Sequence, residues 1–142
     1  PWWDRMTLMF QREVAERIVA RRGEKPYGRL AIISQWRCEA RILFNLPARA
    51  FTPPPKVESS VVEFRPRPSP PDAGSAQMLE KVTAAAFGQR RKMLRASLKS
   101  LPGALAAVDQ LGIEPTIRAE QLSVEEFCRL SAKLYAIQKA EE

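Results

Sequence analysis

The feature that most restricts how this chain can fold is the run Pro53-Pro54-Pro55, with Thr52 before it and Lys56 after it. Three consecutive prolines have a fixed φ and no N–H, so residues 52–55 form a stiff, extended segment that joins neither a helix nor the middle of a sheet. Val57 to Phe64 follows at once. It is β-branched and aromatic in its middle and apolar on both faces at Val61 and Val62, the pattern of a strand buried within a sheet. A rigid loop feeding a buried strand can hold one ring at a fixed place, and the ring at its start is Phe51.

Upstream, Arg5 to Phe10 has the composition of a short buried strand, and Gln11 to Arg22 continues as a helix in which Phe10, Val14 and Ile18 recur every four residues. A polar stretch punctuated by glycine and proline, Glu24 to Arg29, separates it from a second helix over Leu30 to Cys38, with Leu30, Ile33 and Trp36 on one side. Ala40 to Leu46 is a strand closed by Pro47. Strand, helices, strand is a parallel crossover. The strand at 57–64 returns after too few residues for another crossover helix and is therefore antiparallel. Three strands with two helices leave one face and one edge of a sheet uncovered, which calls for a preceding part of the domain. The opening Pro1-Trp2-Trp3, without an initiating methionine, points the same way, and Trp2 and Trp3 fit either an apolar contact with that part or a stacking platform for a base.

Arg65 to Ser75 has the composition of a linker, and everything after it is helical in pattern: Ala76–Phe87, Gln89–Leu101, Ala104–Leu111 and Val124 to about Lys139. Ser123 and Glu126 have capping-box spacing, and Gly112 with Pro115 stops the helix before them. The expected organisation is an α/β unit over residues 1–66, a linker over 67–75 and a small all-α domain over 76–142.

The sequence contains no histidine, which removes histidine bases, histidine metal ligands and Ser-His-Asp or Cys-His nucleophile pairs. Cys38 and Cys128 lie far apart in apolar surroundings and are expected to be buried free thiols, as in a reducing compartment. No apolar run approaches the roughly 18 residues of a membrane span and none resembles a signal peptide, so a cytoplasmic location is expected. The net charge of +7 is uneven: Arg90, Arg91, Lys92, Arg95 and Lys99 fall within ten residues that contain no acid. Clusters of this kind suit a polyanion.

On a helical wheel Phe87, Leu94, Leu98 and Leu101 share one sector, while Arg91, Lys92, Arg95 and Lys99 share the next. Arg90 falls among the apolar residues and needs a partner, which places it at the junction with the first unit. The basic face is either a solvated surface or a surface for nucleic-acid phosphates. Phe51 likewise has two readings. It either pins its loop to the core or serves, with Arg49 and Lys56 beside it, as a stacking platform for an extruded base.

Taken together, Leu8 to Ala15, Tyr27-Gly28-Arg29-Leu30, Phe51 to Ser59, Ala86 to Lys92, and Arg118-Ala119-Glu120 with Ser123 resemble, in order, the bacterial small-subunit rRNA adenine N6-dimethyltransferases of the KsgA (RsmA) type. The resemblance covers nearly all of the chain, and the Phe-x-Pro-Pro-Pro-Lys-Val-x-Ser and Phe-x-Gln-Arg-Arg-Lys blocks are specific in combination. It implies part of a class I S-adenosylmethionine methyltransferase sheet, followed by the family's helical C-terminal domain. The strands at 5–10, 57–64 and 40–46 would be neighbours in that order. It also implies dimethylation of N6 on two adjacent adenosines near the 3′ end of small-subunit rRNA, with S-adenosylmethionine as methyl donor and the small ribosomal subunit as partner.

The family's Gly-rich cofactor turn and its Asn-Leu-Pro-Tyr catalytic block do not occur here. Asn45-Leu46-Pro47 is followed by Ala48 and ends a later strand, so it is not that block. Residues 1–142 therefore look like the family's C-terminal portion, with no catalytic and no cofactor-binding residue of their own, and inactive alone. By this resemblance Phe51 is one face of the target-base clamp and Pro53, Pro54, Pro55 and Lys56 shape its loop. Arg49, Arg90, Arg91, Lys92, Arg95 and Lys99 contact rRNA or, for the basic segment, brace the junction. The exposed sheet edge offers a place for a second copy to pair. Two rival readings are a non-catalytic RNA-binding or ribosome-assembly module and a DNA-binding protein whose basic helix enters a groove.

Overall fold

In the computed structural model, which describes residues 2–142, the order is β1 (Met6–Gln11), α1 (Arg12–Val19), α2 (Arg29–Arg37), β2 (Cys38–Leu46), β3 (Ser59–Pro66), α3 (Ala76–Gly88), α4 (Leu94–Ser97), α5 (Ala104–Gln110) and α6 (Val124–Ala140). Pro1 lies outside the described residues. Trp3 packs against the sheet cluster, whereas Trp2 is 96% exposed.

The strands form one sheet in the order β1-β3-β2, with β3 antiparallel to both neighbours. This is the predicted order. β3 starts two residues later than expected because Glu58 is held outside the ladder, its carbonyl accepting the N–H of Arg12 at 2.9 Å. On one face Phe10, Val62, Phe64, Ala40 and Ile42 pack with Ala15 and Ile18 of α1. Phe10 and Phe64 meet edge to face with their centres 6.1 Å apart. A bulge between Ile42 and Phe44 reverses the alternation, so that Phe44 pairs with Val61 and stands 53% exposed on the other face. Met9 on β1 is 53% exposed as well, so one face and the β1 edge are uncovered.

α2 differs from its predicted wheel. Its buried residues are Ala31, Ile32, Gln35 and Trp36, while Leu30 is exposed. Gln35 is buried because its side-chain amide donates to the carbonyls of Ile18 and Ala20, both at 2.8 Å, satisfying the end of α1. That phase turns Ile32 and Trp36 towards α3 and α6, and they join the larger core with Leu79, Val82, Phe127, Leu130 and Leu134.

The proline-rich segment after β3 is packed down rather than free. Trp36 Nε1 donates to the Pro71 carbonyl at 2.7 Å, Ser131 Oγ donates to the carbonyl of the buried Ala73 at 2.6 Å, and Gly74 turns at φ +78° against Tyr135. The capping box at Ser123 forms in both directions, each bond at 3.1 Å. Cys128 is buried and its thiol is pushed up to about 12 by desolvation. Cys38 is only half-buried, contrary to expectation, because it opens β2 at the sheet margin. Among the described residues no helix is long and apolar enough to cross a membrane.

Candidate nucleic-acid interface

Because β1 and β2 run parallel with β3 between them, Gln11, Ser59 and Leu46 lie side by side at one end of the sheet. That end carries the carboxyl termini of the two parallel strands, where α/β sheets place their ligand sites. The proline loop crosses it. Pro47 starts a single 3₁₀ turn over Ala48–Ala50, closed by the N–H of Ala50 to Pro47 O at 3.0 Å and of Phe51 to Ala48 O at 3.2 Å. The Thr52–Pro53 peptide is cis. Phe51 is half-buried, while Arg49, Pro53, Pro54, Pro55, Lys56 and Val57 are exposed.

The far end of the loop is fastened to the start of α1. Arg12 reaches Glu58 at 2.6 Å and Glu16 at 3.0 Å, and these hydrogen bonds, Glu58 first, keep its guanidinium firmly charged. Gln11, Arg12, Glu13, Glu16, Val57 and Glu58 together line a hollow of about 320 Å³ beside the loop. Asn45 also sits at this end, with its side-chain oxygen accepting a hydrogen bond from Ser60 Oγ at 2.5 Å.

The basic segment takes a shape that the helical wheel does not describe. α3 ends at Gly88, and the predicted helix from Gln89 to Leu101 is replaced by a turn, a β-bridge from Met93 to Arg118, and the four-residue α4. The reason is a competing partner: Leu94 N–H donates to Ile117 O at 2.8 Å and Arg95 N–H to Pro115 O at 3.0 Å, so the turn over 115–117 takes the donors a continuous helix would use. Leu94 and Leu98 are nonetheless fully buried, so the apolar pattern found the core without the helix. With it goes the groove-entering helix on which the DNA-binding alternative rested. Arg91 and Lys92 lie in the turn and Arg95 and Lys99 beyond it. All four are exposed, and among the described residues none of them forms an ion pair. The bridge also sets Arg118 beside this segment, a basic neighbour that only the fold reveals.

Arg90 turns inward. Its Nη2 donates to the Lys25 carbonyl at 3.2 Å and to the Tyr27 carbonyl, and the guanidinium lies 5.5 Å from the centre of the Phe87 ring. Tyr27 is buried and its hydroxyl donates to Leu122 O at 2.7 Å; desolvation raises its pKa. Arg90 therefore fastens the α1–α2 loop to the helical layer. That loop lies at the end of the sheet where β2 begins, so the basic segment and Phe51 are not brought together. β3 has eight residues, so at about 3.3 Å per residue the two surfaces are separated by roughly 25 Å of strand.

The ribosomal RNA adenine dimethylase family model matches residues 2–136. A ribosomal RNA small subunit methyltransferase A from Ruegeria sp. (strain TM1040) is 59% identical over 135 residues, covering 94% of this chain and 48% of that protein. The protein of the same name from Paramagnetospirillum magneticum (strain ATCC 700264 / AMB-1) is 55% identical over 134 residues, with 94% and 48% covered. The chain thus spans about half the length of the curated relatives it matches. Among solved structures, a dimethyladenosine transferase from Plasmodium falciparum superposes with a TM-score of 0.77 at 24% identity, over 92% of this chain and 56% of that one, a likeness of fold. With the match running from Trp2 nearly to the end of α6, through both the proline loop and the basic turn, the chain belongs to the ribosomal RNA adenine dimethylase family.

Proposed function

We propose that this chain supplies the target-base and rRNA contacts of a methyltransferase that dimethylates N6 of two adjacent adenosines near the 3′ end of small-subunit rRNA, with S-adenosylmethionine as donor. Residues 1–66 serve as part of the methyltransferase sheet and residues 76–142 as a helical docking unit. The observation that carries this is Phe51. It is a half-buried ring on a proline-stiffened loop, placed over the carboxyl ends of β1 and β2 and pinned by Arg12 and Glu58.

A base drawn out of its helix is read by stacking on such a ring, and the energy of stacking is sequence-tolerant at about 1–3 kcal/mol per base. Pro53, Pro54, Pro55 and Lys56 keep the ring from collapsing onto the sheet. Arg49 and Lys56 face the phosphates flanking the base, and Arg91, Lys92, Arg95 and Lys99 hold backbone at a second point. Two contacts a strand's length apart suit a folded RNA better than a short single strand. Arg90 acts as a brace between loop and helices.

S-adenosylmethionine needs a cradle that this chain does not fit. The strands exit into Arg12, Pro47 and Arg67, and no glycine follows any of them. No step of methyl transfer is assigned to these residues.

The test is an RNA hairpin carrying 2-aminopurine at the first target adenosine. Its fluorescence should change on binding the wild-type chain and the Phe51→Tyr variant, and the change should be lost with Phe51→Ala while overall affinity falls about tenfold, as a stacking term of that size requires. An unaltered signal in Phe51→Ala means that the ring only anchors its loop.

A further inference from the structure

A second cationic feature lies where β2 begins and β3 ends. The register sets Glu63 opposite Arg41 and Arg65 opposite Glu39. Glu63 is 4% exposed and accepts the Nε of Arg41 and of Arg65, each at 3.0 Å, with Arg5 at 3.6 Å. Burial works against this carboxylate, but the hydrogen bonds from Arg65 and Arg41 outweigh it and hold it below the usual range. A guanidinium has five donors in a planar fork. Glu63 uses only the Nε of each, and among the described residues the terminal nitrogens of Arg41 and Arg65 have no hydrogen-bond partner.

Arg67 completes the group. Its backbone N–H donates to Arg37 O at 2.8 Å and its Nη1 reaches Glu125 at 3.3 Å, yet its Nε is buried with no partner, the one such side-chain atom among the described residues. A buried donor without an acceptor is uncommon and calls for a partner that the protein itself does not supply. Arg21, exposed just after α1, helps to line a cleft of about 490 Å³ whose wall also carries Arg41, Arg65 and Arg67 and the two carboxylates Glu39 and Glu63.

We propose that this cleft binds a phosphate group through Arg21, Arg41, Arg65 and Arg67. Planar forks pre-oriented by a buried carboxylate match the bidentate geometry of phosphate oxygens better than flexible ammonium groups do. The phosphate is that of an RNA backbone, a choice that rests on the function proposed above. A free nucleotide carries the same group, and the experiment separates the two.

Anisotropy of a labelled small-subunit rRNA hairpin is measured over a salt series with the 142-residue chain, and backbone amide shifts are followed by NMR with inorganic phosphate and with adenosine monophosphate. In the Arg21→Gln, Arg67→Gln double variant, the slope of log affinity against log salt should fall by about one to two, the release expected for one or two lost phosphate contacts. Arg67→Lys, which keeps the charge without the fork, should recover less than half of the loss. Arg21 makes no ion pair among the described residues, so Arg21→Gln alone carries the test if the double variant is unstable, with a slope change of about one. If the wild-type chain binds no RNA but phosphate and the nucleotide shift the amides of residues 39–41 and 65–67, and the variants abolish this, the cleft stands as a small-phosphate site and the RNA function fails. If RNA binds and its slope is the same in all variants, with no shift from either small ligand, the cleft proposal is overturned and the RNA function is untouched.

Discussion

Arg90→Ala separates a structural arginine from its exposed basic neighbours. Arg90 gives one nitrogen to two carbonyls of the α1–α2 loop and lies over the Phe87 ring, which meets Tyr27 edge-on at 6.0 Å and Phe127 at 5.5 Å. Hydrogen bonds from a charged donor contribute about 1.5–3 kcal/mol. Because the two acceptors share one nitrogen on an exposed residue, the lower end applies, about 1.5 kcal/mol for the pair. The ring contact adds about 0.5 kcal/mol at an exposed site. The expected loss is about 2 kcal/mol, which at a urea m-value of about 2 kcal/mol/M moves the unfolding midpoint down by about 1 M. Arg91→Ala, with no partner to lose, should stay within about 0.5 kcal/mol of wild type. Urea titrations followed by tryptophan fluorescence measure both variants side by side. The salt dependence of RNA binding by Arg90→Ala should match that of wild type. Equal midpoints for the two variants would refute the brace.

Arg91→Ala with Arg95→Ala should do the reverse: stability should hold, while RNA affinity weakens and its salt slope flattens by about one to two units. Gly74→Ala should destabilise by about 3 kcal/mol in thermal melts, combining left-handed backbone cost with overpacking, since an added Cβ would stand 2.5 Å from Tyr135 Cβ. Cys128 has its folded pKa raised by burial to about 12 from an ordinary 9.0, so its contribution is fully present below pH 9 and lost as pH rises from 9 towards 12. Urea midpoints between pH 8 and 10.5 should therefore fall more steeply for wild type than for Cys128→Ala, and parallel curves would contradict that burial.

Local chemistry explains why so much of the chain is legible. The prolines at 53–55 and the β-branched run after them permit few conformations, and a short return from β2 permits only an antiparallel β3, whereas the order β1-β3-β2 is implied by the family resemblance and agrees with the structure. The capping box at Ser123 is a contact over three residues and needs no distant partner. The positively charged segment with no acid nearby is likewise plain in the residues themselves.

What tertiary structure alone decided involves partners far apart in sequence. Residues 89–101 have helical periodicity, yet Ile117 and Pro115 take the N–H groups of Leu94 and Arg95 and convert the segment to a turn and bridge. The phase of α2 depends on Gln35 finding the carbonyls at the end of α1. Glu63 gathers Arg41 and Arg65 only because strand register brings 41 opposite 63. The distance between Phe51 and the basic turn depends on which end of the sheet each loop leaves. Periodicity records which residues seek burial, whereas the donors and acceptors that complete each backbone are chosen only when remote segments meet.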